Sequence, residues 1–279
     1  MAPPRVLTIA GSDSGGGAGI QADLKTFAAH GVYGMSVLTA ITAQNTREVT
    51  AVAEVPVPVV VAQIDAVFSD IGVDAVKIGM LASAALVEAV AERLRHWRPA
   101  LVVLDPVMVA KSGATLLAAD AVAALRRELL PLATVITPNL PEAAKLAGEG
   151  AEGVWESAGE AELMELAAAL ARLGSPGQDL AVLLKGGHGT GEAVVDVLYS
   201  GGACGLYCHP RQHTRSTHGT GCTLSSAIAA RLALGTGLIG AVRGAIEYLQ
   251  GAIHAAYPLG HGHGPVDHLY QLFPRAGAA

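Results

Sequence analysis

Two glycines and a thiol stand together in Thr217-His218-Gly219-Thr220-Gly221-Cys222, directly before the apolar run Thr223-Leu224-Ser225-Ser226-Ala227-Ile228-Ala229-Ala230. A helix that begins there has first N–H groups without internal partners and a dipole that favours negative charge, so it can hold an anion such as a phosphate. The glycines let that anion approach the backbone. A thiol at the same place would have its thiolate favoured by those N–H groups, so Cys222 could act as a base or activate a hydroxyl. Taken alone, the segment equally allows a glycine-rich turn followed by a buried cysteine.

Other chemistry-bearing residues follow short apolar runs. Gly11 to Gly19 with Asp13, and Asp23 beyond it, come after the first; Gln44 and Asn45 after the second; Lys77-Ile78-Gly79-Met80 after the third. Next come Asp105-Pro106-Val107-Met108, then Thr137-Pro138-Asn139 with Glu142, then Lys185-Gly186-Gly187-His188. In open α/β sheets ligands sit at the carboxyl ends of strands, so these residues are expected to converge on one crevice. Asn139-x-x-Glu142 suits Mg²⁺ or its waters, or else a capping box. Lys185 stands where a cation would meet phosphate oxygens, or where a solvated lysine would. The Gly11 to Gly19 loop matches neither the dinucleotide fingerprint nor a Walker loop.

The elements that must position these groups alternate. Strands are expected at Arg5 to Ala10, Val37 to Thr42, Ala75 to Ile78, Leu101 to Leu104, Thr134 to Thr137 and Ala181 to Leu184. Helices are expected at Ile20 to His30, Val57 to Ser69, Ala84 to Arg95, Asp120 to Leu130 and Glu160 to Leu173, where apolar residues recur at three-and-four spacing. Such alternation implies a parallel sheet covered on both faces. Glu192 to Cys208 reads as a β-hairpin that could cover a nucleotide, and the last twenty residues as a loop and a short helix. No linker interrupts the pattern: Ala147 to Gly159 and Gly186 to Gly191 are short loops.

Composition narrows the partners. The net charge of -6 comes without a basic block, which argues against nucleic acid and for a small molecule. Apolar runs are too short for a membrane span. Three cysteines suit a reducing, cytoplasmic setting rather than a disulfide framework. Cys204 and Cys208 with His209 and His213 are too loosely spaced for an expected zinc site, and His261 and His263 read as a surface turn.

Ala10-Gly11-Ser12-Asp13-Ser14-Gly15-Gly16-Gly17-Ala18-Gly19-Ile20-Gln21-Ala22-Asp23-Leu24-Lys25-Thr26 resembles the opening of the bacterial hydroxymethylpyrimidine/phosphomethylpyrimidine kinases of thiamine biosynthesis. The segments Thr42 to Thr46, Lys77 to Met80, Leu104 to Met108, Thr137 to Ala143, Leu184 to His188 and Thr217 to Cys222 agree in order and spacing, over nearly the whole chain. The resemblance implies a ribokinase-like α/β fold of three layers, α/β/α, with a mostly parallel sheet and a small β-hairpin flap, forming one domain over 1–279. It implies phosphorylation of a hydroxymethylpyrimidine by ATP with Mg²⁺, then of its monophosphate, in a cytoplasmic homodimer. By matching position, Gln44, Asp23, Gly11, Met80 and Val107 would bind the pyrimidine. Gly219, Thr220, Gly221 and Cys222 would serve the transferring group, with Lys185, Asn139 and Thr217 on ATP, and Glu142 and Asp105 on the metal. Many related sugar and pyridoxal kinases place Asp where this chain has Cys222, which favours the pyrimidine branch. A pyridoxal or pyridoxine kinase on the same fold is the alternative, and a non-catalytic ligand-binding protein a more remote one.

Overall fold

The computed structural model describes residues 2–108, 119–148, 158–177, 179–187 and 191–273; His188 and most of the loop from Ala147 to Gly159 fall outside them. Among the described residues the chain runs β1 (Arg5–Asp13), α1 (Gly19–Ala29), β2 (Tyr33–Gln44), β3 (Val49–Glu54), α2 (Val57–Asp70), β4 (Ala75–Ile78), α3 (Ala84–Trp97) and β5 (Val102–Leu104). It continues with α4 (Ala119–Ala124), β6 (Val135–Ile136), α5 (Leu140–Ala147), α6 (Glu160–Ala171), β7 (Ala181–Leu184), β8 (Ala193–Ser200), β9 (Ala203–Pro210), α7 (Thr220–Ala233) and α8 (Leu238–His254).

The nine strands form one sheet in the order β3-β2-β1-β4-β5-β6-β7-β8-β9. From β2 to β7 every pairing is parallel, while β3, β8 and β9 are antiparallel extensions at the two edges. Strands β4, β5, β6 and β7 are buried at every residue, which explains why they read as unbroken apolar runs. Side chains alternate between two cores. Leu7, Ile9, Val76 and Ile78 pack with Ile64, Leu86, Val90 and Leu166 from α2, α3 and α6. Val6, Ala75, Val103 and Leu183 pack with Phe27, Leu224, Ile228 and Val242 from α1, α7 and α8. The result is a three-layer sandwich.

The chain runs outward from β1 to β2 and then returns to β4 on the other side of β1, so the strand order reverses between β1 and β4. That reversal opens a crevice at the carboxyl ends of these two strands. Four local departures from the sequence reading have physical causes. Strand β1 runs on to Asp13 through pairing with β2, which shortens the glycine loop. The segment Asp120 to Leu130 changes helical type, widening over Leu125–Leu129 and tightening over Leu130–Leu132, where Pro131 lacks an N–H to continue the ladder. The hairpin from Glu192 to Cys208 joins the sheet edge through β7. The short helix expected near the end does not form among the described residues, where Asp267 instead caps a turn through Leu269 N–H.

Candidate active site

A cleft of about 660 Å³ lies at the carboxyl ends of the parallel strands. Gly11, Gln44, Met80, Val107, Asp105, Asn139, Glu142, Lys185 and the Thr217 to Cys222 segment are among the residues that line it. The start of α7 is held open there by Gly219, whose φ is +80° and whose missing side chain makes room for the Gly17 carbonyl. Thr223 Oγ1 donates to the Gly219 carbonyl at 2.8 Å and Thr220 Oγ1 to the Thr217 carbonyl at 3.2 Å, fixing the turn. A Cβ on Gly221 would stand 3.4 Å from both Lys185 Nζ and Asp105 Oδ2, so backbone, cation and carboxylate meet at this point. Free helix N–H groups beside an ammonium make an anion hole. Gly11 likewise leaves the space that the Met80 methyl fills.

Cys222, near the start of α7, corrects the expectation of a stabilised thiolate. The residue lines the cleft and is half-buried. Burial pushes it up to about 11, and Asp23 and Asp105 add to that. Lys77 and a hydrogen bond from the Gly19 N–H pull only part of the way back. At neutral pH the group is a thiol, because burial outweighs what the helix start and Lys77 offer a thiolate.

Asp23 is the second correction, because it does not line the cleft. It is fully buried between α1, β1 and α7, where Lys77 Nζ donates to Oδ1 and Oδ2 at 3.0 Å each, and Thr8 Oγ1 and Ser226 Oγ donate at 2.7 Å. A buried carboxylate needs such partners to stay ionised. Lys77 does line the cleft. Burial works against its charge, but the carboxylates of Asp23 and Asp105 and the neighbouring Cys222 leave its pKa raised. A Cβ on Gly79 would come within 2.9 Å of Lys77 Nζ, so the ammonium lies level with the carboxyl end of β4, at the cleft floor.

Elsewhere in the cleft Lys185 Nζ donates to Asp105 Oδ1 at 2.9 Å and stands 3.9 Å from Glu142 Oε2. Thr137 Oγ1 also donates to Asp105 Oδ1, at 3.0 Å. Burial alone would raise Asp105, but Lys185 and Lys77 reverse this and hold it below the usual carboxylate range. Asn139 and Glu142 form the capping box of α5: Glu142 N–H donates to Asn139 Oδ1 at 2.9 Å and Asn139 N–H to Glu142 Oε2 at 2.8 Å. Burial, with Asp105 close by, pushes Glu142 up to about 7 against the pull of Lys185 and backbone N–H donors. Asp196 on β8 accepts from the Gly186 N–H at 2.8 Å, tying the hairpin to this end of the cleft.

At the Gln44 end, Asp13 Oδ1 accepts from Gly15 N–H at 2.8 Å, and Oδ2 from Gly17 and Ala18 N–H at 3.0 and 2.8 Å. His218 Nε2 lies 2.8 Å from the same Oδ2 and 3.3 Å from Gln44 Nε2. Burial would raise Asp13, but His218 and these N–H groups lower it overall.

The sequence profile of the phosphomethylpyrimidine kinase family matches residues 13–267. This chain belongs to the phosphomethylpyrimidine kinase family. It is similar to the hydroxymethylpyrimidine/phosphomethylpyrimidine kinase of Rhizobium meliloti (strain 1021), 55% identical over 267 residues that cover 95% of this chain and 97% of that protein. Its fold is ribokinase-like. It is similar to the solved phosphomethylpyrimidine kinase of Clostridium difficile 630, at 44% identity and a TM-score of 0.76, covering 90% of this chain and 99% of that one. It is also similar to the Bacillus subtilis pyridoxal kinase solved with ADP, at 39% identity and a TM-score of 0.85, covering 96% and 98%.

Within this family frame, three cleft residues stand out to which the sequence assigned no particular role: Asp13, Lys77 and His218. Each lay inside a quoted motif. Their types alone did not separate a ligand-facing side chain from a cap or a core ion pair, because their partners are distant in sequence. Lys77 meets Asp23 across 54 positions and His218 meets Asp13 across 205.

Proposed function

We propose that the chain transfers the γ-phosphoryl group of ATP to 4-amino-5-hydroxymethyl-2-methylpyrimidine and then to the resulting monophosphate, as a step of thiamine biosynthesis. The carrying observation is the start of α7, where Gly221 lies against Lys185 and Asp105 and is followed by Cys222, in the same cleft that the Gln44 amide lines. Gln44, Met80, Val107 and the Gly11 turn hold the pyrimidine. Asp23 acts behind them, through Lys77. Lys185, Asn139 and Thr217 serve the nucleotide phosphates, with the Asn139 side chain committed to the helix cap and its contribution coming through the position of α5.

Gly219, Thr220 and Gly221 present the anion hole for the group in flight. Phosphoryl transfer passes through a loose transition state in which the attacking oxygen needs little deprotonation. A neutral Cys222 thiol is therefore suited to orient the acceptor oxygen by hydrogen bonding, and no resident thiolate base is required.

The carboxylates of Glu142 and Asp105 fit Mg²⁺ by donor type. Among the described residues no group of three His, Cys, Asp or Glu is placed to hold a metal, and Mg²⁺ usually takes one or two carboxylates and completes its shell with phosphates and water. When bound, Mg²⁺ would neutralise phosphate charge beside Lys185.

We further propose that 1–279 works as one kinase domain, in the cytoplasm, as a homodimer that binds neither nucleic acid nor membrane. No described helix is long and apolar enough to cross a membrane. The edge hairpin of β2 and β3 exposes Ile41 and Val52, which supports contact with a second copy.

A second reading, pyridoxal phosphorylation, is favoured by the fold similarity to pyridoxal kinase. ADP release measured with ATP and Mg²⁺ over hydroxymethylpyrimidine, its monophosphate, pyridoxal and ribose separates the two. The pyrimidines are expected to give the highest kcat/KM; preference for pyridoxal would move the substrate and keep the site, and silence on all four would leave a ligand-binding protein.

A further inference from the structure

The hydrogen inventory around Gln44 has one consistent solution. Asp13 is a carboxylate with only acceptor atoms, so the short contact of its Oδ2 with His218 Nε2, 2.8 Å, requires the proton on that nitrogen. His218 Nε2 is then a donor, and it faces Gln44 Nε2, another donor, at 3.3 Å. On the other side of the amide, Thr42 Oγ1 is 2.7 Å from the Ser12 carbonyl and 3.3 Å from Gln44 Oε1. Thr42 has a single hydroxyl hydrogen, and the Ser12 carbonyl, the nearer acceptor, takes it. Oγ1 therefore offers Gln44 only lone pairs, and oxygen faces oxygen. Both contacts are mismatched in this sense of the amide. A half-turn about the last side-chain bond exchanges two atoms of nearly equal size and converts both mismatches into hydrogen bonds.

We infer that His218, oriented by Asp13, and Thr42 together lock the Gln44 amide with its oxygen toward His218 and its nitrogen toward Thr42, making the acceptor pocket selective for a 4-aminopyrimidine edge over a 4-oxopyrimidine edge. One lone pair on Oε1 and one N–H on Nε2 are left for the cleft, in a fixed order. An aminopyrimidine offers a ring nitrogen acceptor next to an amino donor, which complements that order. The 4-oxo ring offers an N–H and a carbonyl in the reverse order, so donor would meet donor and acceptor acceptor. An unlocked amide would turn over and accept either ring. His218 and Thr42 are thus positioning residues that act through Gln44. The inference rests on the proposed pyrimidine acceptor.

The test compares kcat/KM for 5-hydroxymethyl-2-methylpyrimidines bearing 4-amino or 4-oxo groups, in the wild type, His218→Ala, His218→Gln and Thr42→Val. The wild type is expected to prefer the amino compound strongly. In His218→Ala and in Thr42→Val that preference should fall by about tenfold or more, through converging KM values, because one lost reference contact is worth roughly a factor of ten. His218→Gln, whose amide nitrogen falls where Nε2 stood and can donate to both Asp13 and Gln44, should keep the preference. If His218→Ala does not fold, the nearly isosteric Thr42→Val decides. Undiminished preference in the folded variants, with the amino compound still turned over, would overturn the inference alone. A wild type inactive on the amino compound would instead overturn the acceptor assignment and this inference with it.

Discussion

Cys222 lies among charges of both signs, with Asp23 and Asp105 against Lys77, and burial decides the balance in favour of the thiol. Alkylation by iodoacetamide should therefore be slow at pH 7 and accelerate steadily up to pH 10; a rate already level below pH 8 would show a resident thiolate. As an orienting group on the acceptor side, Cys222 should be needed for turnover: Cys222→Ala is expected to lower kcat by about a hundredfold or more, while Gln44→Ala mainly raises the acceptor KM, as steady-state kinetics will show. Behind the thiol, Lys77→Met strands the buried Asp23 carboxylate, which should cost roughly 3–5 kcal/mol in denaturant unfolding. The double variant Lys77→Met/Asp23→Leu should recover most of that stability without recovering turnover; restored turnover would reduce the pair to scaffolding. In the sequence, Asp23 and Lys77 were visible as motif residues, but not as partners. Which of two buried groups touches ligand depends on the direction of a side chain, and Gly79, the glycine that lets the ammonium reach the cleft floor, carries that information only in three dimensions.

Helix α7 delivers the anion hole, and two contacts hold its start in place. Gly219 adopts a left-handed conformation against the Gly17 carbonyl, so Gly219→Ala should abolish nucleotide-dependent turnover and destabilise the fold by at least about 1 kcal/mol, measured by thermal unfolding. Thr223 gives its hydroxyl hydrogen to the Gly219 carbonyl, so its oxygen accepts from His268 Nε2 at 3.1 Å, linking the 259–268 segment to α7. Burial, with Lys25 and His218 nearby, holds His268 neutral, its pKa lowered to about 4. The sign follows: the unfolded chain binds this proton more readily, so the stability His268 contributes is complete above about pH 6.5 and is lost as pH falls toward 4. Glu142, raised to about 7, works in the opposite sense over an overlapping range, so the comparison must be between proteins. His268→Asn should lose less melting temperature than the wild type between pH 7 and pH 5; equal losses would contradict this link. At this scale much was legible. Strands β4 and β7 have the residues their apolar runs implied, and Asn139 with Glu142 forms the capping box weighed against a metal site. Strand β3 was missed because it is exposed along nearly its whole length and has no inward-facing pattern. Helix α8 was missed although Val242, Ala245, Ile246 and Leu249 carry the helical spacing.

The whole molecule divides its cleft between two halves of one sheet. Strands β1 and β2 shape the Gln44 end, strands β5 to β7 with the β8–β9 hairpin shape the Lys185 end, and α7 begins between them. This split was readable as an alternation of strands and helices with polar residues at strand ends, because buried parallel strands announce themselves by composition. The distance between the two ends, and the single anion hole they share, were not readable. That sharing carries the central claim, since one anion hole must serve both the free hydroxymethyl group and the monophosphate made from it. The most direct measurement is phosphorus NMR of the purified protein with ATP, Mg²⁺ and 4-amino-5-hydroxymethyl-2-methylpyrimidine, followed in time. A monoester resonance should rise and then give way to the paired resonances of a pyrimidine diphosphate, as ATP is converted to ADP. A reaction that never forms the monoester, or that stops at it with ATP remaining, would contradict two transfers through one site.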